Sequence, residues 1–137
     1  MKNKFITLPK DYTLVTENIL SKYFRYEGCV HVVLQHKGKK VGWVELRIRS
    51  RKGELYVFET HSRLGSKYRN RGFGALMYHK AFLWVHKNGH KVRCSGVASF
   101  YARRVWRSKA LNEFWNIREV QLSADADRPK WMVIGKR

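Results

Sequence analysis

Acidic side chains are scarce in this chain: 10 Asp and Glu stand against 29 Lys and Arg, a formal net charge of +19 at pH 7. Ordinary soluble domains carry a net charge of magnitude about 2–8, and added acidic residues would serve solubility better than added basic ones. The excess therefore points to a polyanionic partner, with DNA or RNA first and an anionic membrane surface second. Cysteine is also sparse. Two residues, Cys29 and Cys94, with no Cys/His cluster, exclude a disulfide framework or a structural zinc, and both read as buried free thiols. Long apolar runs are missing, which excludes a membrane-spanning helix. The opening Met-Lys-Asn-Lys is not followed by an apolar segment of the kind a secretory leader needs, so a cytoplasmic protein is expected. Repeats, linkers and low-complexity tracts are absent.

What is present is enough for a core. At 137 residues, with 44% hydrophobic and 14% aromatic content, the chain should form one domain spanning 1–137. A short edge strand is expected at 3–8. Pro9 and Asp11 then open a helix over about 12–26, with Leu14, Val15, Ile19, Leu20, Tyr23 and Phe24 on one side. Residues 29–36 and 41–49 alternate as strands. The second puts Val44, Leu46 and Ile48 inward and Trp43, Glu45, Arg47 and Arg49 outward, with turns at Lys37–Lys39 and Lys52-Gly53. A strand at 54–64 leads through a basic turn into a helix at 73–87 whose apolar side carries Leu76, Met77, Ala81, Leu83 and Trp84. A strand at 91–97, a helix at 99–111, and strands at 114–122 and 130–136 complete the order β-α-β-β-β-α-β-α-β-β. The last two strands are joined by a polar turn at 123–128. The fold class is α+β. Arg103, Arg104, Arg107 and Lys109 cluster on the second of these helices, a solvated face or the face that meets the polyanion.

The chemistry concentrates between residues 64 and 75. A strand running into Arg69-Asn70-Arg71-Gly72-Phe73-Gly74 and then a helix is a phosphate cradle in outline. The first helical N–H groups lack intrahelical partners and carry the positive end of the macrodipole. Gly72 and Gly74 let a diphosphate approach the backbone, while Arg69 and Arg71 add charge and planar donors. No Gly-Lys-Ser/Thr follows, so this is not a Walker A loop. Nor does a third glycine sit where a dinucleotide fingerprint requires it.

The run Leu64-Gly65-Ser66-Lys67-Tyr68-Arg69-Asn70-Arg71-Gly72-Phe73-Gly74 resembles the acyl-CoA motif of the GNAT superfamily of N-acyltransferases, V-x-P-x-Y-R-G-x-G-x-G. Ser66 replaces the proline and Asn70 a glycine. The resemblance extends over essentially the whole chain and implies a mostly antiparallel sheet whose strands at 54–64 and 91–97 splay apart to admit a thioester arm. It implies acetyl-CoA as cosubstrate, an amine as acceptor, no metal, and cofactor contacts from Leu64, Arg69, Asn70, Arg71, Gly72, Phe73, Gly74, Ala75, Ser99 and Trp106. The Leu64 amide would face the developing oxyanion. Glu59 is the first choice for the base. A strand glutamate of the histone-modifying branch corresponds here to Phe58, so Glu59 needs a bulge to bring it to the working face. His61, Glu45 and a water relay stay open as alternatives. Ser99-Phe100-Tyr101-Ala102-Arg103-Arg104-Val105-Trp106 is similar to the family's N-x-x-A-x-x-L-Y. Indole stands where the tyrosine acid usually stands, and Tyr101 is the substitute. The alternative is a nucleic-acid-binding or base-modifying protein on the same scaffold, without acetyl transfer.

Overall fold

The computed structural model describes residues 5–19, 28–89, 91–96, 100–120 and 130–136. Strands β1 (Tyr12–Ile19), β2 (Gly28–His36), β3 (Lys39–Arg51), β4 (Glu54–Leu64), β5 (Lys91–Gly96), β6 (Trp115–Val120) and β7 (Lys130–Lys136) form one sheet in the order β1-β2-β3-β4-β5-β7-β6. Every neighbouring pair is antiparallel except β4 and β5, which are parallel. Helices α1 (Phe73–Lys87), α2 (Phe100–Trp106) and α3 (Lys109–Phe114) complete an α+β fold.

The N-terminal part departs from expectation. Residues 5–8 carry no strand, and residues 12–19 are a strand rather than the start of a helix; residues 20–26 lie outside the described residues. The apolar side chains of this stretch fit either period. Tyr12-Thr13-Leu14-Val15-Thr16, rich in aromatic and β-branched residues, prefers the pleated surface. Strand β2 supplies the partner, with Leu14 opposite Leu34 and Val15 opposite Val33. Tyr12 and Leu14 are half-buried while Thr13, Val15 and Glu17 are exposed, the alternation of a sheet edge.

The core lies between the sheet and α1. Val30, Val32, Leu34, Val44, Leu46, Ile48, Val57 and Leu64 meet Phe73, Met77, Tyr78, Ala81, Phe82 and Val85. The buried stripe of α1 thus runs through Tyr78, Phe82 and Val85, leaving Leu83 and Trp84 half-buried. The helix expected at 99–111 breaks in two, with Ser108 extended (ψ 147°) at the start of α3. Asn112 Nδ2 holds the break by donating to the carbonyls of Trp106 (2.8 Å) and Ser108 (2.9 Å). The polar turn expected at 123–128 lies outside the described residues.

An aromatic layer ties α1 to α3. His79 stacks on Phe5 (centroids 3.9 Å apart) and accepts a 3.0 Å hydrogen bond at Nδ1 from the Trp115 indole N–H. Burial, together with the charges of Lys80 and Lys136, lowers the His79 pKa from 6.5 to about 4. Between those values the unfolded chain takes up a proton that folded His79 refuses, so stability falls as pH drops through the window. The expected loss is on the order of 3 kcal/mol. Denaturant titrations of wild type and His79→Phe at pH 7 and pH 4 check it: the variant should lose markedly less between the two.

Two features of β4 position the site. Pairing with β5 covers Tyr56 opposite Lys91 and Val57 opposite Val92, after which no described residue of β5 pairs with β4. The two central strands therefore diverge. On the other side, Arg47 pairs with Glu59 and Ile48 with Val57, which leaves Phe58 as the extra residue of a β-bulge. The bulge switches parity, so Val57 before it and Thr60, Ser62 and Leu64 after it share the helix-facing side. Glu59, His61 and Arg63 share the opposite side with Arg47, Glu45 and Trp43.

Candidate anion cradle and the open side of strand β4

After β4 the chain makes one 3₁₀ turn, Ser66–Tyr68. Tyr68 is buried, its hydroxyl 2.9 Å from His36 Nδ1, and His36 is stacked against Tyr12, which in turn stacks on Phe73. The aromatic residue of the motif is thus the peg that seats the loop on the β1–β2 edge. Arg69 turns back, and its Nε donates to the Leu64 carbonyl at 3.0 Å. The Arg71 guanidinium lies over the Phe73 ring, 5.2 Å from its centroid.

The loop then crosses into left-handed backbone twice, at Asn70 (φ 61°) and Gly72 (φ 86°). Asparagine is among the few residues other than glycine that tolerate this region, which is how it stands in a glycine position of the motif. Gly72 is more constrained. A Cβ there would lie 2.8 Å from Ile6 Cγ2, so both conformation and space demand glycine. Helix α1 starts at Phe73 without a side-chain cap or an acidic residue in its first turn. Its first backbone bond runs from Leu76 N to Gly72 O (3.2 Å), and no backbone carbonyl of the described residues accepts from the amides of 73–75. These amides are neither capped nor neutralised, as an anion site requires.

Beside them lies a pocket of about 160 Å³, bounded by Asn70, Gly72, Gly74 and Ala75 on one side and by Arg104, Val105 and Ser108 on the other. Sequence reasoning placed Arg104 in a general basic cluster and did not single out Ser108. Helix α2 brings Arg104 to the pocket and the break before α3 brings Ser108; the Arg-rich pattern on α2 is the available signal for the first.

Leu64 is buried beside Gly42 in β3, and the amide of Gly65 donates to Val41 O at 3.0 Å. In an antiparallel ladder this makes Leu64–Gly42 a non-hydrogen-bonded pair, so the Leu64 N–H points away from β3, toward the divergence from β5. A Cβ on Gly42 would sit 2.7 Å from Leu64 Cδ1. Gly42→Ala should therefore displace Leu64 and cost about 1–3 kcal/mol of stability, read by thermal denaturation.

On the face of the sheet away from α1, Glu45 anchors a polar network. His31 Nε2 lies 2.8 Å from its Oε1, and Arg47 Nε donates to its Oε2 at 2.7 Å. At 8% exposure Glu45 is buried, although the strand pattern put it outward. Burial pushes its carboxyl up, but hydrogen bonds from His31, Arg47 and Cys29 and the Arg47 charge outweigh that and leave it below the ordinary value. His61 stands opposite Glu45, and Glu59 opposite Arg47. Strand pairing thus gathers the three carboxylate and imidazole candidates, Glu45, Glu59 and His61, on one face of β3 and β4.

The remaining residues singled out from sequence are dispersed. Phe73 and Gly74 are buried, and Ala75 is half-buried. Trp106 is fully buried, edge-on to Tyr78 (5.5 Å) and Phe82 (5.2 Å), which makes it a core side chain. Tyr101 falls in α2, and Ser99 lies outside the described residues. Tyr78, not singled out from sequence, donates its hydroxyl to Ser62 Oγ at 2.8 Å. Burial raises its pKa, against the opposing effect of its hydrogen bonds with Ser62, Trp106 and Thr60.

Residues 4–111 match the family model described as acetyltransferase (GNAT) family. The fold is similar to the crystal structure of the acetyltransferase of GNAT family from Streptococcus pneumoniae, with a TM-score of 0.52 and 16% identity over 78% of this chain and 67% of that one. None of the curated proteins matches the sequence. No described helix is long and apolar enough to cross a membrane.

Proposed function

The chain belongs to the acetyltransferase (GNAT) family, and from that premise we propose that it transfers an acetyl group from acetyl-CoA to an amine. The observation that carries this reading is the row of unpaired amides at residues 73–75, opened by left-handed Gly72 and set beside a pocket that Gly74 and Ala75 line and no acidic residue does. When bound, acetyl-CoA would supply the activated acyl group; the amides of 73–75 would hold its diphosphate, and the gap between β4 and β5 would admit its thioester arm. Asn70 and Ala75 border the same pocket.

The chain then has two tasks. The Leu64 N–H, aimed into the divergence, donates to the carbonyl oxygen as negative charge develops on it. The amine must lose its proton as the N–C bond forms, and the acid–base face of β3 and β4 can receive it. Glu59 is the first choice, a reading supported by the bulge at Phe58; the alternatives His61 and Glu45 pair with each other on the same two strands. The departing thiolate has an intrinsic pKa near 8.5, low enough to leave without a proton donor. Burial of Trp106 is then no obstacle to turnover, and Tyr101 is not required as an acid.

Calorimetry with acetyl-CoA tests the cofactor. Binding at micromolar to tens-of-micromolar levels supports the assignment, and absence of heat at that range overturns it. Glu59→Gln should lower kcat about 10²-fold or more and remove the acidic limb of the pH–rate profile; an unchanged profile moves the role to His61 or Glu45.

The acceptor is proposed to be presented on or near DNA or RNA, a reading supported by the charge of +19. Retention on heparin or DNA should fall steeply with salt, as counterion release demands. Salt-insensitive behaviour would rule out a polyanion-borne acceptor.

A further inference from the structure

We propose that Asn70 and Arg104 form a clamp over the diphosphate, with Asn70 aiming the Arg104 guanidinium across the pocket mouth; the assignment rests on the acetyl-CoA reading above. Three observations meet here. Asn70 occupies left-handed backbone (φ 61°) at a position where glycine would be conformationally easier. Its side chain is therefore retained at a cost in backbone preference, and its Oδ1 accepts from Arg104 Nη2 at 3.2 Å. That hydrogen bond spans two elements 34 residues apart in sequence and bridges the two sides of the pocket. It engages one guanidinium N–H, and among the described residues the other four have no protein acceptor.

The third observation lies deeper. Ser108 Oγ is buried, has no hydrogen-bond partner among the described residues, and belongs to the same pocket wall. A buried hydroxyl without a partner is costly unless a ligand or water satisfies it. The pocket thus offers backbone N–H groups on one side and a guanidinium and a hydroxyl on the other. A planar guanidinium with free donors suits phosphate or carboxylate oxygens, and the oxygens that the acetyl-CoA reading would bring here are those of the diphosphate, beside the amides of 73–75. Asn70 touches Arg104 to orient it and is a positioning residue. Arg104 is the one that would touch the ligand.

The experiment is a double-mutant cycle read by calorimetry with acetyl-CoA and with 3′-dephospho-CoA. Arg104→Gln should weaken acetyl-CoA binding about tenfold or more, the size of a charge-assisted hydrogen bond. Asn70→Gly, which keeps the loop conformation, should weaken it less. The double variant should be no worse than Arg104→Gln alone, because the asparagine acts only through the arginine. Arg107→Gln removes an equal charge outside the pocket wall and should bind as wild type.

Equal loss with 3′-dephospho-CoA assigns the contact to the diphosphate. A loss seen only with the 3′-phosphate present overturns that assignment. Wild-type binding by Arg104→Gln, an equal effect of Arg107→Gln, or multiplicative single effects would overturn the clamp while leaving the cofactor reading intact. Failure of wild type itself to bind would overturn both.

Discussion

Replacing Trp106 by alanine should cost about 3–5 kcal/mol of stability, the largest effect expected of any single substitution in the described core. The indole is fully buried and sits edge-on to Tyr78 and Phe82, so truncation opens a cavity between α1 and α2. In a chain of 137 residues that loss corresponds to a melting temperature lower by roughly 10–20 °C. Trp106→Phe should recover most of it, since a smaller ring still fills part of the volume. The pair also separates packing from chemistry. Trp106→Phe should retain acetyl-CoA affinity and kcat, because the side chain lies away from the pocket wall formed by its neighbours Arg104, Val105 and Ser108. A folded Trp106→Phe protein with kcat reduced a hundredfold would restore this position to the list of reacting groups.

Gly72→Ala is the second large effect, and it should strike binding harder than folding. The left-handed backbone costs an L-residue about 1–2 kcal/mol, and the new methyl would meet Ile6 at 2.8 Å. Relief requires the loop or the Ile6 segment to move, and the amides of 73–75 move with the loop. Acetyl-CoA affinity should fall at least tenfold while thermal denaturation stays cooperative. The double variant Ile6→Ala/Gly72→Ala removes the collision but not the backbone preference, so it should recover part of the affinity. Full recovery would mean that space alone makes the glycine necessary; no recovery would mean that φ alone does.

Much of the architecture was legible in the sequence because its strands alternate cleanly and its turns are marked. Lys37-Gly38 and Lys52-Gly53 both adopt positive φ at both residues, as two-residue hairpins require. The segment 12–19 was not legible, because its apolar spacing fits two periods and only the presence of β2 as a partner decides between them. The break at Ser108 was hidden for a related reason: Asn112, four residues on, supplies the hydrogen bonds that make it stable.

At the candidate site, backbone features read best. Gly72 declared its own conformation, and the motif located the helix start. Side-chain partnerships did not read at all. Nothing in the spacing of Asn70 and Arg104 says that they meet, and nothing in the alternation of β3 says that Glu45, pointing away from α1, is nevertheless buried with His31 and Arg47. Those facts depend on how elements stack, which periodicity within one element does not encode.

The supernumerary residue at position 58 makes β4 tolerant of shortening at that one place. Without Phe58 the pairing of Ile48 with Val57 and of Arg47 with Glu59 would run on without a break, and Val57, Thr60, Ser62 and Leu64 would keep one face in regular alternation. Such a deletion should straighten the strand and leave its phase untouched, whereas removing Thr60 would turn every residue on one side of the gap to the opposite face.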